Sequence, residues 1–589
     1  MKASNFLPIL DWGRRYDAHQ FSDDAIAAII VTIMLIPQSL AYALLAGLPP
    51  HIGLYASILP LIGYMVFCSS RVLAVGPVAV VSLMTAAAVG QIAATGTAEY
   101  LAAAIMLALL SGLILFLMGL LRLGFLADFL SHPVVSGFIT ASGLIIAVSQ
   151  VKHILGVAAS GHSLPAILQS LYGQAANINA TALAFGTPAL VFLFWSRSYL
   201  KPSLEKLGLS VGASGNLAKA GPLVAIFVAI GGVYYFDLQY ALPIVGDIPN
   251  SLPNLALPQF DMSLFRSLIV PAFLISIIGF VESVSVARTL AVRKDQNIDP
   301  NQELLGLGSA NILSSLSGGY PVTGGFARSV VNFDAGAATP AAGGFTAIGI
   351  ALVTVYFTPF LYFLPKAILA ATIIVAVLAL VDFATLKYSW VYSKSDFFAA
   401  VLTIAVTLSI GVEVGVATGA LASVVLYLLK SSQPHIAEIG QVPRTQHFRN
   451  VLRHKVITSS RILSLRVDEN LFFANAVHLQ RFIDERVSER AGLKHVVLNC
   501  VSISQIDGSA LDILQALNNK LSKAGTSLHL SEVKGPVEDR LERNDFLAKL
   551  SGRVFFHHYG AVSALDEGVY PPLQLSRATT EEVNAGSHI

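Results

Sequence analysis

The sequence is short of cysteine and short of charge. Its two cysteines, Cys68 and Cys500, are isolated. They exclude a disulfide framework and a cysteine-based zinc cluster. Only 12% of the 589 residues are charged, about half the share of an ordinary soluble chain. That deficit excludes an ordinary cytosolic enzyme and a disordered chain. The net charge of +2 is too small to imply a polyanionic partner, so no nucleic acid is expected. No cleavable leader is expected either. Asp11, Arg14, Arg15, Asp17, Asp23 and Asp24 crowd the first 24 residues, and no short apolar core with a small-residue cleavage site follows. No nucleophile–base set and no metal-ligand spacing stands out, so no enzyme activity, cofactor or metal is expected.

The apolar residues make up 54% of the chain, and the charges it has are unevenly spread. Residues 433–589 hold 18 of the 37 Lys/Arg and 17 of the 35 Asp/Glu. The first 432 residues therefore read as membrane and the rest as a soluble domain. The expected organisation is a cytoplasmic segment 1–24, a membrane domain 25–432, a soluble domain 433–575 and a tail 576–589. Fourteen apolar runs lie between residues 25 and 430. Most approach the roughly 20 residues a crossing needs, but those near 78–92 and 326–336 are short and begin at Gly/Pro clusters. With about 14 crossings, most basic residues fall on one side, while loops 156–180 and 237–263 contain no Lys or Arg. Both termini are then cytoplasmic. Short loops and the single sequon Asn179-Ala180-Thr181 suit the inner membrane of a bacterium.

The two short runs match each other. Gly76-Pro77-Val78-Ala79-Val80-Val81 aligns with Gly324-Gly325-Phe326-Ala327-Arg328-Ser329 at an offset of 248 residues. Seven spans per repeat, an odd number, would invert the second repeat. Short, Gly/Pro-interrupted segments at corresponding places in two halves point to a transport site at the bilayer midplane. Each half-helix would aim free N–H groups there, those of Val78, Ala79 and Val80 from one side and Phe326, Ala327 and Arg328 from the other. That makes an anion site. The plainer alternative is that Gly76, Gly324 and Gly325 only make turns or close packing.

Ionisable residues in the membrane block cost about 2.5–3.5 kcal/mol each on insertion scales. Arg328 lies at one half-helix start and Glu282 in Phe280–Arg288. They could be a static ion pair; their place in the matched halves favours a functional role, Arg328 for the anion and Glu282 for a coupling proton. Gln38 and Tyr42 share one face of the first span beside Pro37, which can kink it. They are candidate ligands, with an interhelical hydrogen bond as the alternative for Gln38. Two half-helix ends supply about one positive charge together and Arg328 a second. A dianion with neutral Glu282 is nearly balanced, and ionised Glu282 would expel it.

The stretches PQSLAYALLAGLPPHIGLYAS (37–57), SSRVLAVGPVAVVSLM (69–84), FVESVSVARTLA (280–291) and TGGFARSVVNFDAGAATPAAGG (323–344) resemble the SulP anion transporters, the solute carrier 26 group of sulfate permeases. The resemblance implies an all-α membrane fold of 14 segments in two inverted repeats, forming core and gate domains, and a homodimer. It implies an anion between the third and tenth segments. Gln38, Tyr42 and Arg328 match site positions. Ala327 stands where several members have serine. Glu282 matches the acid of proton-coupled, plant-like members.

In the soluble block, Ile462–Val467 alternates like a strand and Leu471-Phe472-Phe473 resembles a second. A helix over 475–490, a strand at His495–Cys500, a helix over 508–523 and a strand over 526–531 follow. Helices near 536–549 and 560–567 close the block, with His557-His558 on a strand end. This α/β alternation resembles a STAS domain, with signature loop Ile506-Asp507-Gly508-Ser509-Ala510. Gly508 stands where the anti-sigma-factor antagonists carry a phosphorylatable serine, and helix capping is the favoured reading of Asp507 and Ser509. The expected function is secondary active, proton-coupled uptake of a small oxyanion, sulfate foremost, across a lipid membrane, with a possible cytosolic partner for the STAS domain. Sodium-coupled bicarbonate transport, dicarboxylate uptake, an uncoupled exchanger or channel, and a membrane sensor remain alternatives.

Overall fold

A computed structural model of the chain describes residues 6–129, 132–161, 163–208, 210, 214, 221–258 and 261–570. The expected tail 576–589 lies outside these. The chain divides into two compact units, Met1–Ser423 and Val424–Ile589.

The first unit is helical. Among the described residues, eight helical stretches are long and apolar enough to cross a membrane, and three shorter apolar helices accompany them. The elements used below are α1 (Ala18–Leu45), α2 (Pro50–Tyr55), α3 (Leu59–Phe67), β1 (Val75–Gly76), α4 (Ala79–Gly90), α5 (Ala98–Leu120), α6 (His132–Leu155), α7 (Ala180–Trp195) and α8 (Gly221–Tyr235). They continue with α9 (Met262–Arg293), α10 (Pro300–Leu316), β2 (Thr323–Gly324), α11 (Phe326–Asp334), α12 (Ala341–Tyr356), α13 (Lys366–Leu378), α14 (Phe383–Tyr392), α15 (Lys394–Ser409) and α16 (Val412–Ser432). One order recurs: a long helix, a further helical stretch, a two-residue strand, a short helix.

The first long helix begins earlier than the charged lead-in suggests. Asp17 accepts from Gln20 N while Gln20 reaches back to Asp17 N, a capping box that starts α1 at Ala18. Pro37 stays within α1, which runs unbroken to Leu45. Small residues let helices touch. A Cβ at Gly112 of α5 would come within 2.6 Å of Ile312 N on α10, and one at Gly308 within 2.6 Å of Phe116 N. These glycines allow the close backbone approach that drives helix association in lipid.

The second unit holds a six-stranded sheet in the order β4-β3-β5-β6-β7-β8. The strands are β3 (Ile436–Gln441), β4 (Phe448–Asn450), β5 (Ile462–Val467), β6 (His495–Asn499), β7 (Ser527–Ser531) and β8 (Val554–Phe555). β5 through β8 are parallel, and β3 is antiparallel to both β4 and β5. Leu463, Leu465, Val496, Leu498, Leu528 and Leu530 bury one face together with α17 (Ala476–Ser488), α18 (Gly508–Lys523) and α19 (Gly535–Arg543). The opposite face is more polar and packs on α20 (His558–Leu565).

Two sequence expectations fail here. Leu471-Phe472-Phe473 is not a strand: Leu471 makes one parallel bridge to Ile506, and Phe472 N donates to Asn475 Oδ1 in a turn. His557 and His558 do not end a strand either. His557 precedes α20, and His558 opens it with Nδ1 2.7 Å from Ser531 Oγ. β3 is a strand the apolar pattern does not announce, because Glu438 interrupts it; Arg490 Nη2 holds that carboxylate at 2.7 Å. Asp507 is a cap, accepting from Ala510 N at 2.8 Å and from Phe473 N at 2.9 Å.

Candidate functional site: two half-helices and a buried arginine

The matched segments meet. Val75 pairs with Gly324 and Gly76 with Thr323, antiparallel, as oppositely running repeats require. The strands correspond at the offset of 248; the helices start at Ala79 and Phe326, so the second half is one residue tighter before its helix. A dense set of hydrogen bonds fixes the junction. Ser283 Oγ accepts from Gly324 N at 2.9 Å and lies 2.7 Å from Thr323 Oγ1, which also donates to Gly279 O at 2.7 Å. Asn311 clasps Val322 from both sides, taking its N–H and donating to its carbonyl, each at 2.9 Å. Gly325 N donates to Ala74 O, and Ala74 N to Ser329 Oγ. In a lipid-embedded unit every such backbone group must be paired internally.

Two buried acids hold the connecting loops. Glu303 accepts from Tyr64 Oη at 2.5 Å, Ser69 N at 2.9 Å, Ser70 N at 2.8 Å and Ser69 Oγ at 2.6 Å. It thereby fixes the chain entering β1. Asp24 accepts from Ala338 N at 2.7 Å and from Thr339 N and Oγ1, fixing the chain leaving α11. Neither stood out in the sequence. Asp24 looked like part of a charged lead-in, and Glu303 sat at the edge of an apolar run. A carboxylate at the border of an apolar segment, next to Ser or Thr elsewhere in the chain, was the available signal.

The two half-helix starts are open. α1, α5, α7, α9, α10 and α14 carry side-chain caps from Asp17, Thr97, Asn179, Asp261, Asp299 and Asp382. α4 and α11 have no side-chain cap, a feature they share with α2, α3, α12, α13 and α15, which leaves their first N–H groups for another acceptor. Val78, Ala79 and Val80 are buried, so only their backbone is on offer; Phe326 is 45% exposed and Arg328 2%.

Arg328 is the centre of the arrangement. Its Nη1 donates to Pro77 O at 2.7 Å, across to the other half-helix lead. Its Nε and Nη2 are buried and have no hydrogen-bond partner. These two nitrogens form one edge of the guanidinium, the edge that grips two oxyanion oxygens side by side. Gly76 and Gly325 make room for it: an added Cβ would lie 3.2 Å from Nη1 at Gly76, and 2.8 Å from Nη2 and 2.9 Å from Nε at Gly325. The backbone at Gly76 also has φ +151°, a region that favours glycine. The groups acting electrostatically on Arg328 are Tyr42, Tyr320 and Glu282. Tyr320 is itself set by Ser82 Oγ of α4 at 3.2 Å. No Glu282–Arg328 ion pair forms among the described residues, so the static pair considered above is absent. Glu282 is 7% exposed, with Oε2 unpartnered.

A cavity of about 530 Å³ opens beside the site. Gln38 and Ala327 line it, with Arg197, Lys201 and Thr372. Arg197 lies in a π-helical turn, Ser196–Leu200, that extends α7, and it donates to Val375 O at 3.1 Å. Gln38 and Ala327 thus share a cavity that borders α11, while Tyr42, Glu282 and Arg328 are not among the residues that line it. In the soluble unit no group of three or more His, Cys, Asp or Glu residues is placed to hold a metal among the described residues.

Together these features define an integral membrane protein with two convergent half-helices, followed by a STAS-type α/β domain. The chain belongs to the sulfate permease family: that family's model matches residues 21–403, and the STAS domain matches residues 454–561. It is 35% identical over 565 residues to sulfate transporter 4.1, chloroplastic, of Arabidopsis thaliana, covering 93% of this chain and 81% of that one. It is 30% identical to high affinity sulfate transporter 2 of Stylosanthes hamata, covering 93% and 84%. The fold is that of the murine solute carrier 26 member A9 anion transporter in its inward-facing state, with a TM-score of 0.86, 23% identity, and coverage of 95% and 94%. The transmembrane domain of the cyanobacterial bicarbonate transporter BicA aligns with a TM-score of 0.59 at 20% identity, over 69% of this chain and 98% of that one.

Proposed function

We propose that this protein is a secondary active transporter that takes up sulfate together with protons by alternating access. One observation carries the reading: two uncapped half-helix starts converge on a buried arginine whose Nε–Nη2 edge has no partner. The relatives named sulfate transporters supply the choice of anion. Sulfate would take the N–H groups at the starts of α4 and α11 and the free edge of Arg328. Tyr42 and Gln38 would complete its surroundings, and the cavity lined by Gln38 and Ala327 would be its path. Glu282 acts on Arg328 without touching it, so its charge state biases the site's affinity for a dianion. Neutral Glu282 favours occupancy, and ionised Glu282 favours release. Proton and anion therefore bind cooperatively, each raising the other's affinity by the same factor.

In this reading residues 25–432 form the transport domain and 433–575 a STAS domain that assembles or regulates it, in a homodimer of a bacterial inner membrane with both termini cytoplasmic. The test is radiolabelled sulfate uptake into proteoliposomes under an imposed pH gradient, or under a sodium gradient at fixed pH. Accumulation that follows the proton gradient and collapses with a protonophore is the expected result. Uptake that needs sodium at fixed pH would replace proton coupling, and exchange without accumulation would leave an uncoupled exchanger.

A further inference from the structure

Glu282 has a second side that the anion site does not use. A cavity of about 20 Å³ adjoins it. Val134, Val135, Phe138 and Ile139 of α6 and Val416 of α16 form its far wall, and two apolar residues of α9 complete it. Such a volume is just enough for one water, but a buried water needs two to four polar partners, and this wall offers none. Oε2 of Glu282 is buried without a partner. The charged group that acts on the carboxyl is Arg328 on α11, and Tyr42 on α1 lies within electrostatic reach of both. The named residues of α6 and α16 bring no charge and no hydrogen-bond donor.

We infer that this apolar slot between α6 and α16 receives the protonated side chain of Glu282, so that Val134, Val135, Phe138, Ile139 and Val416 are positioning residues for the coupling proton. The inference rests on the proton-coupled reading and adds to it the place where the proton is sensed. A neutral carboxyl against apolar side chains costs far less than a carboxylate, which there has lost water and gained nothing. Ionised Glu282 is drawn instead towards Arg328, and the slot then loses its occupant. α6 and α16 therefore pack against α9 differently in the two proton states. Protonation at Glu282 is felt at once by the anion site through Arg328 and by two helices outside that site through packing.

Chemistry, not bulk, should tune the slot. A hydroxyl placed in its wall can donate to the carboxylate and hold the ionised form. Val416→Thr and Val135→Thr make that change on two separate helices with little change of volume. The probe is the carboxylic acid C=O infrared band that disappears in Glu282→Gln, followed against pH in the full chain in lipid. Each Thr variant should lower the pH at which that band is lost, by up to about one unit, a tenfold weaker proton affinity worth about 1.4 kcal/mol. The pH dependence of sulfate uptake should move to acid by the same amount, and sulfate–sulfate exchange in the Glu282→Gln background should not respond to either substitution. A midpoint unchanged in both Thr variants, each folded as judged by sulfate binding, would overturn the slot. If the infrared midpoint moves but wild-type protein shows no proton-driven accumulation, the slot stands and proton coupling falls. If accumulation is proton-driven but the midpoint does not move, coupling stands and the slot falls.

Discussion

Arg328 and its two glycines make the sharpest claims at the scale of single residues. Arg328→Ala removes the fork and should abolish sulfate binding by calorimetry while the protein still folds. Arg328→Lys keeps the charge but loses the two-nitrogen edge, and should restore little of the affinity. Gly325→Ala separates geometry from charge. The backbone at Gly325 has φ −93°, which alanine adopts freely, so the added methyl acts only by crowding Nε and Nη2. It should weaken sulfate binding at least tenfold with little loss of thermal stability. Retained affinity in Gly325→Ala would mean that the anion uses another edge of the guanidinium.

At the scale of elements, the junction of β1 and β2 sets how precisely the half-helices meet. Ser283→Ala strips Gly324 N of its acceptor and leaves Thr323 Oγ1 with Gly279 O alone. A buried donor left unpaired costs about 1–3 kcal/mol. The unfolding temperature in detergent should fall, and saturating sulfate should recover part of the loss, because a ligand that binds only the folded state stabilises it. This junction was half legible in the sequence. The Gly/Pro clusters and the 248-residue offset revealed the half-helices, because short interrupted runs are rare in a membrane block. Ser283, Thr323 and Asn311 were not legible, since a serine or asparagine in a span gives no sign of which distant backbone group it reaches. Glu303 and Asp24 escaped notice for the same reason. Among the soluble elements, the parallel strands and α18 follow their apolar periodicity closely, while β3, broken by Glu438, does not show it. α20 brings a second prediction. Burial pushes the imidazoles of His558 and His529 down from 6.5 to about 4. Both are neutral when folded and take up a proton more readily when unfolded. Their contribution is therefore full above pH 6.5 and is lost as pH falls towards 4, by about 1.4 kcal/mol per pH unit for each histidine at most. Hydrogen exchange at β7 amides, corrected for intrinsic rate, should show protection falling over that window, and His558→Gln should flatten part of the slope.

At the scale of the whole molecule, each unit has its own core. The two largest clusters of buried apolar residues lie within the membrane unit, and a separate cluster fills the α/β sheet. Every residue placed at the anion site belongs to the first. Truncation after residue 432 should therefore leave sulfate binding within a few-fold of the full chain while changing transport rate or oligomer formation. Binding lost in a truncated protein that still unfolds cooperatively would show that the soluble unit shapes the site. The central claim is that one oxyanion lies between the starts of α4 and α11 against the free edge of Arg328. Selenate has sulfate's charge and shape and scatters anomalously, so it reports its own position. A crystal structure in selenate should show one anomalous peak within hydrogen-bond distance of Arg328 Nε and Nη2 and of backbone N–H groups from both half-helices. A peak found only beside Arg197 and Lys201, with nothing at Arg328, would contradict the account.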